Sequence, residues 1–517
     1  MPCVQANADT EPAQQYASQI NLSETLINLL SQPSITEYAP IVNYFCRILA
    51  LLISQDGEAA RASFQTVEVL LGLASQPPFR DDVEDFTSIV SVAVAYLGNE
   101  RFQTDMVTKN QVMLFLDIFH HAYTGFVTKQ KEDPDAAGAL KQLRSGLLNS
   151  LADISAHDAF SRYHPLESDV AQSLLAWLKG ANVDLRTAAC LSLGNLSRSD
   201  EASTALVQKY SAHKPLIDVI TDPAASDQQT LHSALSFLKN LAIPASNKPL
   251  LSDLLDSACV PRMYALDTSP QVQFSAVSLT RLLITNCPEN ARRICESLNN
   301  EDANEGDNTT ANAIISLYGR SDAEPTRMEA ARSILALCRA LHSSSPESVL
   351  ADWKTDGPTG SSEEKRSMFY RKHAVAKPLS FMIAQEKWPT MRSEALFVLA
   401  LMCRSKDGSG VIFDILDDDH MKIIVEVVTG QKSMNGVAEQ AESGAGEDSS
   451  PDDLSALTTR LQLEPQQVEP GQQATMKKVD RENCLVLVTE LLKHQKDEME
   501  ESRVRYLGDL IKQALNG

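Results

Sequence analysis

The chain has 517 residues, 43% of them hydrophobic and only 6% aromatic, a Leu- and Ala-rich balance that suits stacked helices better than an all-β sandwich. Its formal net charge of −22 sets it against nucleic acid and anionic lipid, whose phosphates it repels, and in favour of basic partners. No run approaches the roughly 18 apolar residues of a bilayer span, so no membrane insertion is expected. The polar start, MPCVQANADTEPAQQ, has neither the basic nor the apolar region of a secretory signal.

Residues 1–20 are polar and are expected to be disordered. From Leu22 to about Tyr123 apolar residues recur at i, i+3, i+4 and i+7, the mark of amphipathic helices, so 21–160 reads as N-terminal helical repeats. Ser23 opens SETLINLLSQP as half a capping box, with Leu26 where an acid would complete it. Ser88–Leu97 (SIVSVAVAYL) has the length of a core helix. A charged loop is expected over Lys129–Ala137, with helices resuming at Ala139.

The middle of the chain repeats itself. CLSLGNLSRSD (190–200), LSFLKNLAIP (235–244) and VSLTRLLITN (277–286) each close an apolar helix. Aligning Ala189, Ala234 and Ala276 brings Asn195, Asn240 and Leu282 together at offsets of 45 and 42 residues; Asp153 lies 42 before Asn195. Ala331 and Ala395 mark further copies at offsets of 55 and 64, the extra length being loop. A helical period of about 40–47 residues is the armadillo/HEAT signature. One such unit cannot cover its own apolar face, so neighbours must stack. The expected fold is therefore all-α, a right-handed α-solenoid with armadillo repeats over 161–429. Polar stretches at 299–311 and 346–370 read as insertions. Residues 430–478, with eight acids and four bases, read as a disordered acidic insertion, and 479–517 as C-terminal repeat helices.

Nine cysteines, none in CxxC pairs and most inside apolar runs, read as buried thiols in a reducing compartment, which makes a cytoplasmic location the expectation. No GxxxxGK[ST] loop, GxGxxG turn or HExxH helix is present, so no catalytic residue, cofactor or metal is assigned. His120 and His121 are adjacent and point about 100° apart on a helix. His232 has no Cys or Asp at ligand spacing. DILDDDH (414–420) lacks the turn glycine of a calcium loop and reads as a solvated helix end.

A solenoid of this kind presents one helix per repeat on a binding face. His232, Ser236 and Asn240 line up there, as do Ala188, Leu191 and Asn195. An asparagine can give a bound backbone both a donor and an acceptor, or it can brace its own helix end. With the acidic charge, such polar ladders describe a receptor for a basic, extended segment, one that attracts by steering and weakens in salt.

At these residues the chain resembles the small-G-protein GDP-dissociation stimulators. WLKGANVDLRTAACLSLGNLSRSD carries Trp177, Asn195, Arg198 and Asp200. HSALSFLKNLAIPASNK carries Ala234, Asn240, Pro244, Asn247 and Lys248. SPQVQFSAVSLTRLLI carries Pro270, Gln273, Phe274 and Arg281, and SEALFVLALM carries Glu394 and Leu399; ENCLVLV, from Asn483, is a weaker copy. The resemblance covers about 165–517. It implies an armadillo-repeat regulator, not an enzyme in its own right, that acts as a monomer. It would bind Ras- or Rho-type small GTPases through a polybasic tail that can be prenylated, stimulating GDP release or chaperoning them. The expected contacts are Asn195, Arg198, Asp200, Ser236, Asn240, Gln273 and Glu394. Asn195 and Asn240 would hold partner backbone, Asp200 and Glu394 would meet lysine or arginine, and Arg198 could instead brace Asp200. The repeats at Ala331 and Ser393 depart from the pattern by having small residues in place of asparagine. The alternatives are an armadillo adaptor or scaffold for basic peptides without exchange activity. An import-type adaptor would need tryptophan four residues before each asparagine, where this chain has Leu191 and Ser236.

Overall fold

The computed structural model describes residues 11–127, 133–223, 227–296, 309–343, 346–353, 360–430 and 470–516. Among these every regular element is a helix, as the 3.6-residue periodicity requires. The chain divides into two compact units, Met1–Leu216 and Ile217–Gly517, the division falling inside the helix His213–Thr221.

In the first unit a row of long helices is built from Ala39–Ile53 (α1), Val83–Leu97 (α2), Pro134–Ala156 (α3) and Val183–Leu196 (α4), each packed on the one before; Asp200–Gln208 (α5) follows. Side-chain caps fix where they start. Asp82 accepts from the Glu84 and Asp85 amides, Asn182 from Leu185, and Ser199 from Ala202. In the second unit Gln228–Leu241 (α6), Pro270–Ile284 (α7), Glu324–Ser343 (α8), Pro389–Met402 (α9) and Pro470–Gln495 (α10) stack in the same serial way. Ala189, Ala234, Ala276, Ala331 and Ala395, the small residues of the repeat, are all buried at 1% exposure or less, where the absence of a larger side chain lets helices close up.

The repeat period is written into the polar bonds between neighbours. Asn43 to Asp85, Arg101 to the Ala59 carbonyl, Arg198 to the Ala156 carbonyl, Arg262 to the Ile220 carbonyl and Asn290 to the Lys248 carbonyl each span 42 residues. Across 297–308, which lies outside the described residues, Arg281 reaches Glu329 over 48 residues and Ser333 reaches the Val277 carbonyl over 56. The later offsets are longer, as the sequence pattern anticipated.

Several local expectations are corrected. Glu11–Gln19 is a helix inside the stretch read as disordered. Its Ser18 donates to Glu58, whose buried carboxyl needs a donor there, and its Gln14 accepts from Gln55 at 2.8 Å. The cap before Leu22–Leu30 is Asn21 in a left-handed conformation, and Ser23 is buried within the helix. Helix α3 begins at Pro134, capped by Asp133, five residues before Ala139, because proline is at home in a first turn. Helix α10 begins at Pro470, inside the segment read as insertion; of that segment, 431–469 lie outside the described residues, as do 1–10, 128–132 and 354–359. Eight cysteines are free and buried; burial pushes the Cys46, Cys190, Cys259 and Cys338 thiols up to about 12. Cys3 lies outside the described residues.

One polar cluster is sunk in the second unit. Arg366 grips Asp407 with two bonds of 2.7 and 3.0 Å, while His342 Nε2 meets the Tyr370 hydroxyl at 2.6 Å. Burial, reinforced by Arg366, depresses the His342 imidazole to about 4. The unfolded chain, whose histidine titrates near 6.5, therefore binds more protons than the folded one between those values. Stability from this group is complete above pH 6.5 and is lost as the pH falls towards 4, by on the order of 3 kcal/mol. Urea midpoints of the native chain should drop over that window more steeply than those of His342→Gln.

Candidate functional site

Among the described residues, the expected contact Asn195 lines a surface cleft of about 590 Å3 in the first unit. One wall is the end of α3 and the turn after it, with Ser155, Asp158 and Glu167; the other is the end of α4 and the start of α5, with Asn195, Arg198 and Glu201. The two walls are successive copies of one sequence: DISAHD (153–158) and NLSRSD (195–200) lie 42 residues apart.

Asn195 holds the copies together. Its Nδ2 donates to the Ser155 hydroxyl at 2.9 Å and to the Ala152 carbonyl at 3.3 Å, and its Oδ1 accepts from Arg198 at 3.1 Å. The bracing role left open by the sequence is thus the observed one. Arg198 also braces, but not against Asp200; its second donor satisfies the Ala156 carbonyl at 3.1 Å, an acceptor left over at the C-terminus of α3. Asp200 is exposed at the first residue of α5, where a carboxylate suits the positive end of the helix.

The cleft is acidic. Asp158, Glu167 and Glu201 line it, and Asp200 stands beside it. Lys209 sits 3.0 Å from Glu167 and holds that carboxyl below the usual range. Asp158, Glu167 and Glu201 were absent from the sequence-based contacts. The recurrence of aspartate at 158 and 200, in register with Asp153 and Asn195, was the available signal for the first.

The second unit places its expected contacts differently. Half-buried or exposed residues recur along α6 (His232, Ser236, Lys239, Asn240), α7 (Phe274, Arg281), α8 (Arg332, Arg339) and α9 (Glu394, Phe397) at helical spacing, with Glu329 buried beneath Arg281 and Arg332. Ser236 and Asn240 are both half-buried there. His232 turns its Nδ1 to the Ser275 hydroxyl of the next repeat at 3.1 Å. Glu394 is half-exposed and faces Arg332 at 3.9 Å. Gln273 is a correction: it is 3% exposed, and its amide nitrogen is used up on the Tyr264 carbonyl at 2.9 Å and Asp267 at 2.8 Å, closing the turn before α7. It has no surface to offer a partner.

The expectation of an acidic binding face is also corrected for this unit. Helices α6 to α9 carry Lys239, Arg281, Arg327, Arg332, Arg339 and Arg392 against Glu324, Glu329 and Glu394, so this row is basic in a chain of net charge −22. Burial would raise the Glu329 carboxyl, but Arg281 at 2.6 Å and Arg332 at 2.7 Å outweigh it and hold the group below the ordinary range.

The remaining chemistry-bearing residues are structurally engaged. His121 meets the Arg80 carbonyl at 2.8 Å, His120 lies against the Trp177 ring, and Asp417 caps Asp418–Thr429 while bonding His420 at 2.7 Å. Among the described residues no group of three His, Cys, Asp or Glu is placed to hold a metal ion, and no helix is long and apolar enough to cross a membrane.

No family model matches the chain. It is 27% identical over 209 residues to Rap1 GTPase-GDP dissociation stimulator 1-A of Xenopus laevis, a match covering 40% of this chain and 32% of that protein. The 1-B protein of the same frog is 28% identical over the same length and shares. GTPase-GDP dissociation stimulator vimar of Drosophila melanogaster is 30% identical over 90 residues, covering 17% of this chain and 14% of the fly protein. The match thus spans about a third of the length of the frog relatives. Among solved structures, an engineered protein aligns with a TM-score of 0.55 at 14% identity, over 96% of this chain and 99% of that one. SYS-1 aligns at 0.53 and 12% identity, over 82% of this chain and 73% of its own. With the serial stacking above, these likenesses establish an all-α solenoid.

Asn195→Ala removes both donors from the α3 end and leaves Ser155 and the Ala152 carbonyl without them. It should lower stability by about 1–2 kcal/mol, measured as a shift in urea midpoint. An unchanged midpoint would show that the brace between repeats carries no energy.

Proposed function

We propose that the chain binds small GTPases of Ras or Rho type and promotes release of their GDP, or escorts them, by receiving the polybasic and prenylatable C-terminal tail in the acidic cleft beside Asn195. The observation that carries this reading is the cleft itself: three lining carboxylates and a neighbouring fourth, on two stacked copies of the same motif, in a chain similar to GTPase-GDP dissociation stimulators. Asp158, Asp200 and Glu201 would meet tail lysines and arginines. Asn195 and Arg198 would hold the wall in place more than they grip the ligand. Free, buried thiols suit a meeting in the reducing cytoplasm.

Exchange of this kind requires no acid or base. If the solenoid binds the nucleotide-free GTPase more tightly than the GDP form, linkage obliges it to weaken GDP binding by the same factor. Exposed carboxylates contribute little affinity each, but they steer a cationic segment and raise its encounter rate. An adaptor for basic peptides would use the same cleft without altering GDP release.

The test is release of fluorescent GDP from Rap1 and a panel of Ras- and Rho-type GTPases, each with and without its basic tail and with and without the prenyl group. Release should accelerate only when the tail is present, and less at high salt. The double variant Asp158→Lys, Glu201→Lys should weaken tail-dependent capture about tenfold at low salt. Equal acceleration of tail-deleted GTPases would reject the cleft as the tail site, and capture without acceleration would favour the adaptor.

A further inference from the structure

The basic row of the second unit is not used by the reading above, and its chemistry is opposite. Helices α6 to α8 carry half-buried Lys239, Arg281, Arg332 and Arg339; Glu329 is buried between Arg281 and Arg332, and Glu394 of α9 faces Arg332 at 3.9 Å. Aromatic rings lie between the charges: the Lys239 ammonium is 5.3 Å from the centre of the Phe274 ring, and the Arg339 guanidinium is 5.5 Å from that of Phe397, which is 42% exposed. Arginine beside an exposed aromatic ring, as Arg339 lies beside Phe397, is the composition of interface centres, where a flat cation and a rigid ring bury area at little cost in side-chain freedom. Burial lowers the Lys239 ammonium from its ordinary range; Glu329 opposes this and Arg281 adds to it more weakly.

We propose that this stripe is a docking surface for an extended acidic polypeptide segment of a partner protein. Packed helices lie about 8–10 Å apart, so the cations of α6, α7 and α8 recur at about that interval. An extended strand advances about 3.3 Å per residue, which brings every third side chain to the next helix. A segment with aspartate or glutamate at every third position, and apolar residues between them for Phe274 and Phe397, fits that spacing. A nucleic acid fits it poorly. Its phosphates are spaced more closely than these cations, and Glu394 interrupts the positive run.

The proposal stands apart from GTPase binding, and its test contains no GTPase. Fluorescent poly-L-glutamate should bind the full chain at low salt and be released by added salt. Lys239→Glu combined with Arg339→Glu, two residues that stack on rings and leave the Arg281–Glu329–Arg332 pairs intact, should weaken binding at least about tenfold. The double variant Asp158→Lys, Glu201→Lys in the first unit should leave the dependence on Lys239 and Arg339 unchanged. Urea midpoints confirm that the variants fold, and Arg339→Lys, which keeps the charge, should retain most of the binding. Equal binding by the Lys239 and Arg339 variant would overturn the assignment. So would tighter binding of heparin or single-stranded RNA through the same two residues. Poly-glutamate that binds only after deletion of residues 431–469 would make the chain's own acidic stretch the occupant and likewise overturn the assignment to a partner.

Discussion

A helix leaves its last four carbonyls without partners inside itself, and a stack of helices buries some of them. In this chain the repeat that follows supplies the missing donors. Arg198 reaches the Ala156 carbonyl at the end of α3, and Arg262 the Ile220 and Asp222 carbonyls; Arg101 reaches those of Ala59 and Ala60; Asn195 adds a bond to Ala152 one turn further back, and Asn290 one to Lys248 in the turn between two short helices. Apolar stacking presses the units together without fixing register, because hydrophobic burial has no direction. The amide and guanidinium bonds, at a spacing close to 42 residues, set the register. Both candidate surfaces inherit their geometry from that arrangement: the cleft opens between two motif copies joined by Asn195, and the cationic stripe is a half-buried row carried by successive helices α6 to α8.

Two opposite electrostatic surfaces on one acidic chain have a physical cause. Burying the Glu329 carboxyl is costly unless cations surround it, and Arg281 and Arg332 do so. Two cations for one anion leave the neighbourhood positive, and Lys239 and Arg339 extend it. The acidic residues of the first unit are under no such demand. Asp158, Asp200 and Glu201 sit in water near a helix start, where the backbone favours negative charge.

Much of the fold was legible because periodicity is a property of sequence. The alanines at 189, 234 and 276 announced close packing, and the offsets of 42 and 45 announced stacked units. The site was less legible. Sequence names Asn195 as a donor but not its acceptor, which turned out to be the preceding repeat. Gln273 shared the polar look of a surface residue, yet the turn before α7 needed its amide inside. Net charge is a sum and hides its own distribution, so the total of −22 suggested an acidic face where four helices carry a basic one. Asp158 is legible in the same repeat that marks Asn195, since DISAHD and NLSRSD end on the same residue.

The reach of about 42 residues shared by many of the bracing bonds also bears on how such a chain can change in length. Each unit gives donors backward and offers acceptors forward, like links with a hook and an eye. A whole link inserted or removed leaves every hook with an eye, whereas a fraction of a link strands buried carbonyls. Growth and shortening by duplication are therefore open to this architecture in whole steps.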